Sequence, residues 1–307
     1  MRTVVFGGGG FLGRRVVAAL QDHGDDVLAL DAVPSTTVQT VRVQDFYEVQ
    51  RALHDFGADS VVNLAYISGA ACIDQPYAAG LVNQQGFMNV LEGARSAGVR
   101  RIAYASSIAV YGPDQKLYGD RPITEDDACS IADHALSYGV TKAANDFLAH
   151  EFATRYGLQL CGIRPGIIIG PGRKHGLTTW ASDIASGPAT GARTPIPLAA
   201  DQRASVVYVD DVARLFVAAL HATELPSWLY NTGGYSLTTT QLADAVRAIE
   251  PSSRHEFARD AEPLPFVWNV SGKRAAAELG FEPRPLDECL RDHMNTAREL
   301  AGLDRRY

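Results

Sequence analysis

Near its amino terminus the chain reads Thr3-Val4-Val5-Phe6-Gly7-Gly8-Gly9-Gly10-Phe11-Leu12-Gly13, and this stretch decides the fold. The apolar run Thr3–Phe6 predicts a strand, and Leu12–His23 predicts an amphipathic helix that ends at Gly24. Glycines three residues apart allow a tight turn and a close approach of the backbone to a pyrophosphate at the helix start. This strand–loop–helix order predicts a dinucleotide-binding unit, with a plain flexible turn as the alternative.

The first half of the chain continues this alternation of short apolar runs and helical patterns. Alternation of this kind predicts an α/β fold, a doubly wound parallel sheet, because right-handed crossovers carry helices over both faces. Strands that are apolar throughout fit a sheet buried on both sides. The predicted strands are Thr3–Phe6, Val27–Leu30, Thr40–Val43, Ser60–Leu64, Ile102–Ala105 and Leu158–Ile163. The predicted helices are Leu12–His23, Phe46–Phe56, Tyr77–Ala97 and Tyr138–Tyr156.

The composition changes after residue 165. Residues 166–197 are rich in glycine and proline, which predicts loop and short elements. The pattern then resumes with Ser205–Val209 as a strand, a helix over Asp210–His221, a strand at Trp228–Thr232, and helices at Thr239–Ile249, Ser271–Leu279 and Leu286–Leu300. We expect a dinucleotide-binding domain over residues 1–169 plus about 204–233. A smaller, mostly helical substrate-binding domain takes about 170–203 plus 234–307.

The composition excludes several classes of protein. Of 307 residues, 46% are hydrophobic and 21% charged, which excludes a disordered, collagenous or disulfide-rich chain. The net charge of −7 argues against nucleic acid or an anionic membrane as a partner. Four isolated cysteines, and no long apolar run or signal peptide, predict a cytoplasmic protein. Since the histidines show no metal-ligand spacing, no metal is expected.

Asp31 ends the second predicted strand, 18 residues after Gly13. A carboxylate there accepts hydrogen bonds from the adenosine ribose and repels a 2′-phosphate, so it favours NAD over NADP. A solvated loop aspartate is the alternative, and Arg14 and Arg15 leave some room for NADP.

Tyr138 and Lys142 lie four residues apart at the start of a predicted helix, so they share one face. An ammonium beside a phenol favours the phenolate and lowers the pKa of the tyrosine, which suits a general acid or base. Ser107 follows the fifth predicted strand, at the sheet edge where ligands bind. Its hydroxyl could hydrogen-bond the substrate oxygen that Tyr138 protonates.

Together these segments resemble the extended short-chain dehydrogenase/reductase family, in its NAD-dependent epimerase/dehydratase group. The resemblance covers essentially the whole chain. The matching segments are Gly7 to Gly13, Gln44-Asp45-Phe46, Asn63-Leu64-Ala65-Tyr66, the helix around Asn83, Ser106 to Gly112, Arg164-Pro165-Gly166, Gly170-Pro171-Gly172, Val207 to Val212, and Glu278 to Phe281 with Pro283.

The resemblance implies hydride transfer between C4 of nicotinamide and a substrate carbon, with NAD as cofactor. Tyr138 would exchange the proton, Lys142 would tune Tyr138 and hold the nicotinamide ribose, and Ser107 would orient the substrate oxygen. A homodimer through the helices around Tyr77–Ala97 and Tyr138–Tyr156 is also implied. The cofactor contacts carried over are Gly7, Gly10, Phe11, Leu12, Asp31, Asp45, Phe46, Leu64, Ala65, Asn83, Tyr138, Lys142, Pro165 and Ile167.

The chain departs from the family pattern where many members hold a nucleotide-diphosphate sugar. Ile167 stands where they usually have asparagine, and Ala204 where they tend to have arginine. Dehydration is not expected, because Ile108-Ala109 follow Ser107 where dehydratases carry an Asp-Glu pair. Arg173, His175 and Arg203 could bind a substrate carboxylate or phosphate together with Ser107, although an exposed basic loop explains them equally well.

Three functions follow, of which the first is favoured. It is an NAD-dependent dehydrogenase or reductase that acts on a hydroxyl or keto group of a small substrate. A sugar-derived molecule is one candidate for that substrate. The second is a nucleotide-sugar epimerase with tightly held NAD. The third is a dinucleotide sensor without catalysis, against which the intact Ser107, Tyr138 and Lys142 argue.

Overall fold

The computed structural model describes residues 1–69 and 71–307. Its strands are β1 (Arg2–Phe6), β2 (Asp26–Asp31), β3 (Gln39–Thr40), β4 (Ser60–Asn63), β5 (Arg101–Ala105), β6 (Gln159–Arg164), β7 (Ile167–Ile169), β8 (Thr194–Ile196), β9 (Arg203–Tyr208), β10 (Leu229–Asn231), β11 (Tyr235–Thr238) and β12 (His255–Phe257). Seven of them form one sheet in the order β10-β6-β5-β4-β1-β2-β3, and every pairing in it is parallel. The predicted doubly wound parallel sheet is therefore confirmed.

Most helices lie in the predicted places, with boundaries that differ by a few residues. They are α1 (Phe11–Asp22), α2 (Phe46–Phe56), α3 (Ala71–Asp74), α4 (Pro76–Gly80), α5 (Phe87–Ser96), α6 (Ser137–Tyr156), α7 (Trp180–Ala189), α8 (Val209–His221), α9 (Thr239–Ile249), α10 (Lys273–Leu279) and α11 (Leu286–Leu300). Of these, α3 and α7 were not predicted. The single helix predicted at Tyr77–Ala97 is divided into α4, a π-helical stretch Leu81–Gly86, and α5. Within the described ranges, no helix has both the length and the apolar character needed to cross a bilayer.

The main sheet is covered on both faces. Val4 and Val5 are neighbours in β1 and both are fully buried, but they belong to different clusters of the core. Val4 packs with the side chains of α2 and α5, and Val5 packs with those of α1 and α8. Alternate side chains of one strand thus enter opposite halves of the core, which explains why the strands are apolar throughout.

The strand order reverses between β1 and β4. From β1 the chain runs outward to β2 and β3, then returns to β4 and continues through β5 and β6 in the other direction. Ligands of open α/β sheets bind at the carboxyl ends of the strands at this switch point. The candidate site is therefore expected beyond the ends of β1, β4 and β5.

The smaller part of the chain differs from the prediction in its sheet content. The strand predicted at Ser205–Val209 exists as β9, but it pairs with β7 and β11 in a separate three-stranded sheet. The predicted division had placed β7 and β9 in the dinucleotide-binding domain. An apolar, β-branched run predicts a strand but does not specify its partner, and this partner is distant in sequence. Residues 166–197, expected as loop and short elements, contain the ten-residue helix α7.

A buried ion pair joins three of the elements that lead to the switch point. Nε and Nη2 of Arg164, at the end of β6, donate to Asp146 Oδ2 of α6 over 3.0 and 2.8 Å. Ser106, just after β5, donates its hydroxyl to the same oxygen over 2.9 Å. The Arg164 and Asp146 side chains are only 7% and 3% exposed. This network ties α6 to the carboxyl ends of two neighbouring strands.

We predict that Asp146→Ala lowers the free energy of unfolding by about 3–5 kcal/mol, because it leaves the Arg164 guanidinium buried without its partner. Asp244→Ala is the matched control: it breaks the exposed pair with Arg247 in α9 and should cost less than about 0.5 kcal/mol. Urea denaturation followed by circular dichroism measures both. Equal losses in the two variants would contradict the structural importance of the buried pair.

Candidate active site

The loop after β1 packs so closely against the neighbouring main chain that Gly7 and Gly13 leave no space for a side chain. Gly7 has a φ of +79°, and a Cβ there would lie 2.8 Å from the main-chain nitrogen of Ala65. A Cβ on Gly13 would lie 2.0 Å from the Gly7 carbonyl oxygen. The loop thus lies directly against the end of β4, and the first turn of α1 lies directly against the loop.

This loop fits a dinucleotide. Helix α1 begins after Gly10, and no side chain among the described residues caps its first turn, so main-chain N–H groups stay free at its positive end. Such an end attracts a pyrophosphate. Asp31, at the end of β2, accepts a hydrogen bond from Gly9 N over 3.1 Å, which brings its carboxylate to the edge of the loop. When a pyrophosphate lies at the start of α1, the adenosine ribose joined to it would reach the Asp31 carboxylate.

Leu64 and Ala65 continue from β4 beside the glycine loop. Leu64 N donates to the Phe6 carbonyl over 2.8 Å, and Ala65 N donates to Asn63 Oδ1 over 3.1 Å. Asn83 lies in the π-helical stretch, and its amide accepts from Ile67 N and donates to Ile67 O. Asn83 therefore holds the chain that follows β4, and its direct cofactor contact stays a prediction.

The remaining predicted cofactor contacts also have structural partners. Asp45 caps α2, its carboxylate accepting from the main-chain nitrogens of Tyr47 and Glu48, and Phe46 follows it. The Pro165 carbonyl accepts from Ile108 N over 3.2 Å. The side chain of Ile167 is buried in the core beneath the smaller sheet, so a cofactor contact from this residue would come from its main chain.

Ser107, Tyr138 and Lys142 come together at the carboxyl end of β5. Lys142 Nζ donates to the Ala105 carbonyl at 2.5 Å, and Ser107 Oγ accepts from Ala109 N at 3.1 Å, at the start of the short helical turn Ile108–Tyr111. Gly139 lets α6 approach this turn, because a Cβ there would lie 2.4 Å from the Ala109 carbonyl oxygen. The sequence therefore needs glycine beside Tyr138 to place the phenol against Ser107.

The pKa values of the protein without cofactor differ from the sequence-based expectation. Burial raises the pKa of Tyr138, and hydrogen bonding with Ser107 only partly offsets it. Burial lowers the pKa of Lys142 to about 7, against the attraction of Asp146. The Lys142 ammonium lies 5.9 Å from the centre of the Tyr138 ring, too far to outweigh desolvation of the phenol. Tyr138 is therefore a neutral phenol at pH 7.

The sequence reading missed Tyr66 as a contributor to this site. Its ring lies 3.4 Å from Lys142 Nζ, a cation–π contact, and packs edge-to-face on Tyr138 with centres 5.5 Å apart. Its hydroxyl is 2.5 Å from Thr141 Oγ1, which itself donates to the Tyr138 carbonyl. Tyr66 follows directly on Leu64-Ala65, but nothing in that motif shows that its ring reaches α6.

Arg173 is the predicted substrate residue that the structure brings to the site. Its guanidinium donates to the Ile168 carbonyl over 2.5 Å and to Thr178 Oγ1 over 2.7 Å, and lies 5.8 Å from the Phe11 ring centre. Burial lowers the pKa of Arg173, and the electrostatic influence of Tyr138 opposes this, so the two groups are close enough to interact.

The other two basic residues predicted to bind substrate, His175 and Arg203, have different surroundings from Arg173. His175 is exposed in the loop that follows Arg173. Arg203 begins β9, and its guanidinium stacks over Trp268 at 4.4 Å from the ring centre. A substrate role for either residue stays a prediction.

Known proteins match this chain along most of its length. The model of the NAD dependent epimerase/dehydratase family matches residues 3–233. The UDP-glucose 4-epimerase of Corynebacterium glutamicum is 25% identical, over 94% of this chain and 92% of its own length. An uncharacterized 37.6 kDa protein of Escherichia coli O111:H- is also 25% identical, over 92% of this chain and 94% of its own length.

Solved structures share the fold over almost the whole chain. The UDP-glucose 4-epimerase of Thermus thermophilus, in complex with NAD, is 25% identical and superposes with a TM-score of 0.78, covering 97% of this chain and 99% of that one. The L-threonine dehydrogenase of Phytophthora infestans superposes with a TM-score of 0.86 at 22% identity, covering 99% and 100%. At this identity, the similarity to the Phytophthora infestans enzyme shows a shared fold only.

We predict that the affinity for NAD falls as the pH rises above about 7, where Lys142 loses its charge in the free protein. The negative pyrophosphate of NAD binds more tightly when Lys142 is charged, so the pKa of Lys142 is higher in the complex. Between the two pKa values, the dissociation constant for NAD should rise by up to about tenfold per pH unit. Lys142→Arg keeps its charge throughout this range and should flatten the profile. Calorimetric titrations between about pH 6 and pH 9 measure the NAD affinity of the unaltered protein and of Lys142→Arg. The same pH dependence in both proteins would contradict the prediction.

Proposed function

The chain belongs to the NAD dependent epimerase/dehydratase family and is an NAD-dependent enzyme of the extended short-chain dehydrogenase/reductase type, and from this premise we propose its reaction. We propose that it is a dehydrogenase or reductase acting on the hydroxyl or keto carbon of a small molecule that carries a carboxylate. The observation that supports this substrate class is the Arg173 guanidinium, which Ile168 and Thr178 hold and which interacts electrostatically with Tyr138.

The proposed mechanism divides the work among three side chains. Oxidation of a secondary alcohol releases one hydride and one proton, and bound NAD supplies the hydride acceptor at its nicotinamide. Ser107 hydrogen-bonds the reacting oxygen, Tyr138 exchanges its proton, and Lys142 holds the nicotinamide ribose. The raised pKa of Tyr138 keeps the phenol protonated, which is the form that donates a proton to a keto oxygen during reduction.

Arg173 would fix the substrate through its carboxylate. A guanidinium binds a carboxylate through two parallel hydrogen bonds, which orients the substrate as well as holding it. Since Arg173 is already held by Ile168 and Thr178, little conformational entropy is lost when a substrate arrives.

A nucleotide-sugar epimerase is the second candidate, and the relative from Corynebacterium glutamicum favours it. The local chemistry opposes it, because Ile167 and Ala204 are 8% and 4% exposed in an apolar core where many family members carry asparagine and arginine. A diphosphate buried there without paired charges would bind poorly. Intact Ser107, Tyr138 and Lys142 argue against a sensor without catalysis.

We also propose a homodimer in the cytoplasm. Phe147 on α6 and Tyr77 on α4 are large, exposed apolar side chains on the two helices that the resemblance assigns to the interface. All four cysteines are free thiols, as suits a reducing compartment. Light scattering coupled to size-exclusion chromatography would test the dimer, and a monomer at micromolar concentration would refute it.

We predict that a screen of small hydroxy acids and 2-amino-3-hydroxy acids contains a substrate of this protein. Incubation of the protein with NAD and that substrate should accumulate free NADH. The screen includes L-threonine, which the name of the Phytophthora infestans neighbour suggests. Absorbance of the reduced cofactor is the measurement, and Tyr138→Phe should reduce the rate by about 10²- to 10⁴-fold while binding NAD normally. Micromolar binding of UDP-glucose, with an epimer formed and no free NADH, would decide for the epimerase.

We predict that Arg173→Met lowers kcat/KM for the carboxylate substrate by about 10- to 150-fold, the value of a hydrogen bond between charged groups. The same variant should treat the methyl ester of that substrate much as the unaltered protein does, because the ester lacks the charge that Arg173 pairs. Lys174→Met, which removes the exposed neighbouring charge, is the control and should change neither rate. Equal losses for the acid and the ester would contradict carboxylate recognition by Arg173.

A further inference from the structure

Three side chains of metal-ligand type meet at the edge of the main sheet opposite the active site. His23 follows the last residue of α1, Asp25 directly precedes β2, and His221 is the last residue of α8. Their ligand atoms all lie within 4.8 Å of one another. The two histidines are far apart in the chain, so only the packing of α1 against α8 brings them together. This explains why spacing along the sequence indicated no metal.

The distances suit a small ion with nitrogen and oxygen ligands. His221 Nε2 lies 3.0 Å from Asp25 Oδ2, and His23 Nδ1 lies 4.0 Å from Asp25 Oδ1. Ligand atoms around a tetrahedral zinc ion, with bonds near 2.0–2.1 Å, are about 3.3 Å apart. The two observed separations, each to a different oxygen of Asp25, lie on either side of this value, and side-chain rotations would bring both imidazoles to one ion.

The carboxylate is held in place before an ion arrives. The Asp25 side chain is only 2% exposed, and it accepts hydrogen bonds from Thr3 Oγ1 at 3.1 Å and from the Met1 amino group at 3.0 Å. The Thr3 hydroxyl is a partner that orients a carboxylate ligand. The Met1 amino group is a cation paired with Asp25 Oδ1, so it would move away when an ion binds. The His23 side chain is 48% exposed, so the cluster opens to solvent on that side and leaves room for water as a further ligand.

The two histidines contact each other as well as Asp25. Both lie within ion-pair distance of the carboxylate, and their rings have centres 3.8 Å apart and planes inclined by 40°. The fold thus brings two imidazoles and one carboxylate together at one place. Neutral imidazoles are the form that binds metal ions.

We propose that His23, Asp25 and His221 form a binding site for a divalent transition-metal ion of the zinc type. Two imidazoles and one carboxylate suit Zn²⁺, Ni²⁺, Cu²⁺ or Co²⁺, whereas Mg²⁺ and Ca²⁺ prefer oxygen ligands throughout. The ion would join the carboxyl ends of α1 and α8 to the start of β2. It would lie on the far side of the sheet from Tyr138, where it stabilises the folded protein and takes no part in hydride transfer.

The test uses the full chain without a polyhistidine tag, with Zn²⁺ as the titrant and Co²⁺ as a spectroscopic probe. We expect one Zn²⁺ per chain by calorimetry and visible absorption bands with Co²⁺. His23→Ala should weaken Zn²⁺ binding at least about tenfold. Because His23 is exposed, this variant should still fold. His54→Ala removes an exposed imidazole in α2 and serves as the control.

The unfolding temperature provides the second readout. Zn²⁺ should raise it in the unaltered protein and in His54→Ala, but not in His23→Ala. Lack of saturable binding in the unaltered protein would overturn the proposal. Equal affinity in His23→Ala would overturn it as well, because the ion would then be bound elsewhere.

Discussion

The buried ion pair between Asp146 and Arg164 is the interaction on which the candidate site depends. One carboxylate oxygen accepts three hydrogen bonds, two from Arg164 and one from Ser106. Each partner is next to, or one helical turn from, a residue proposed for cofactor or substrate: Ser106 precedes Ser107, Arg164 precedes Pro165, and Asp146 follows Lys142 by one turn. Because unpaired charges are costly in a dry core, these segments are held at fixed distances from one another.

The same network governs the charge of Lys142. Burial disfavours the ammonium, while the electrostatic influence of Asp146 and Cys72 favours it. These opposing effects bring the pKa of Lys142 to about 7, so a modest change in nearby charge decides its protonation state. Arrival of an anionic cofactor is such a change. Cofactor binding and the electrostatics around Tyr138 are therefore coupled through one side chain.

Local features of the fold were predictable, and pairings over long range were not. The bounds of α2, α9 and α11 agree with the predicted helices, because a hydrophobic period is a local signal, and α2 and α9 also begin at a capping side chain. The partner of β9, the contact of Tyr66 with Lys142 and the meeting of His23 with His221 each join distant segments. A single sequence carries no record of such contacts. Within the candidate site, the glycine loop shows the same limit, since its shape follows from residues 7–13 but its contact with Ala65 does not.

A dehydrogenase and an epimerase differ in how far the groups that bind the substrate lie from the reacting carbon. An epimerase must hold its substrate at a distance from the reacting carbon, so that the oxidised sugar can turn and receive the hydride on its other face. That anchor needs charged or polar groups remote from the tyrosine, and Ile167 and Ala204 are buried and apolar where many family members provide them. Arg173 instead interacts electrostatically with Tyr138, the residue proposed to exchange the proton. In the proposed dehydrogenase, a carboxylate paired with Arg173 would keep the substrate from turning, so the hydride would be transferred at one face of the reacting carbon only.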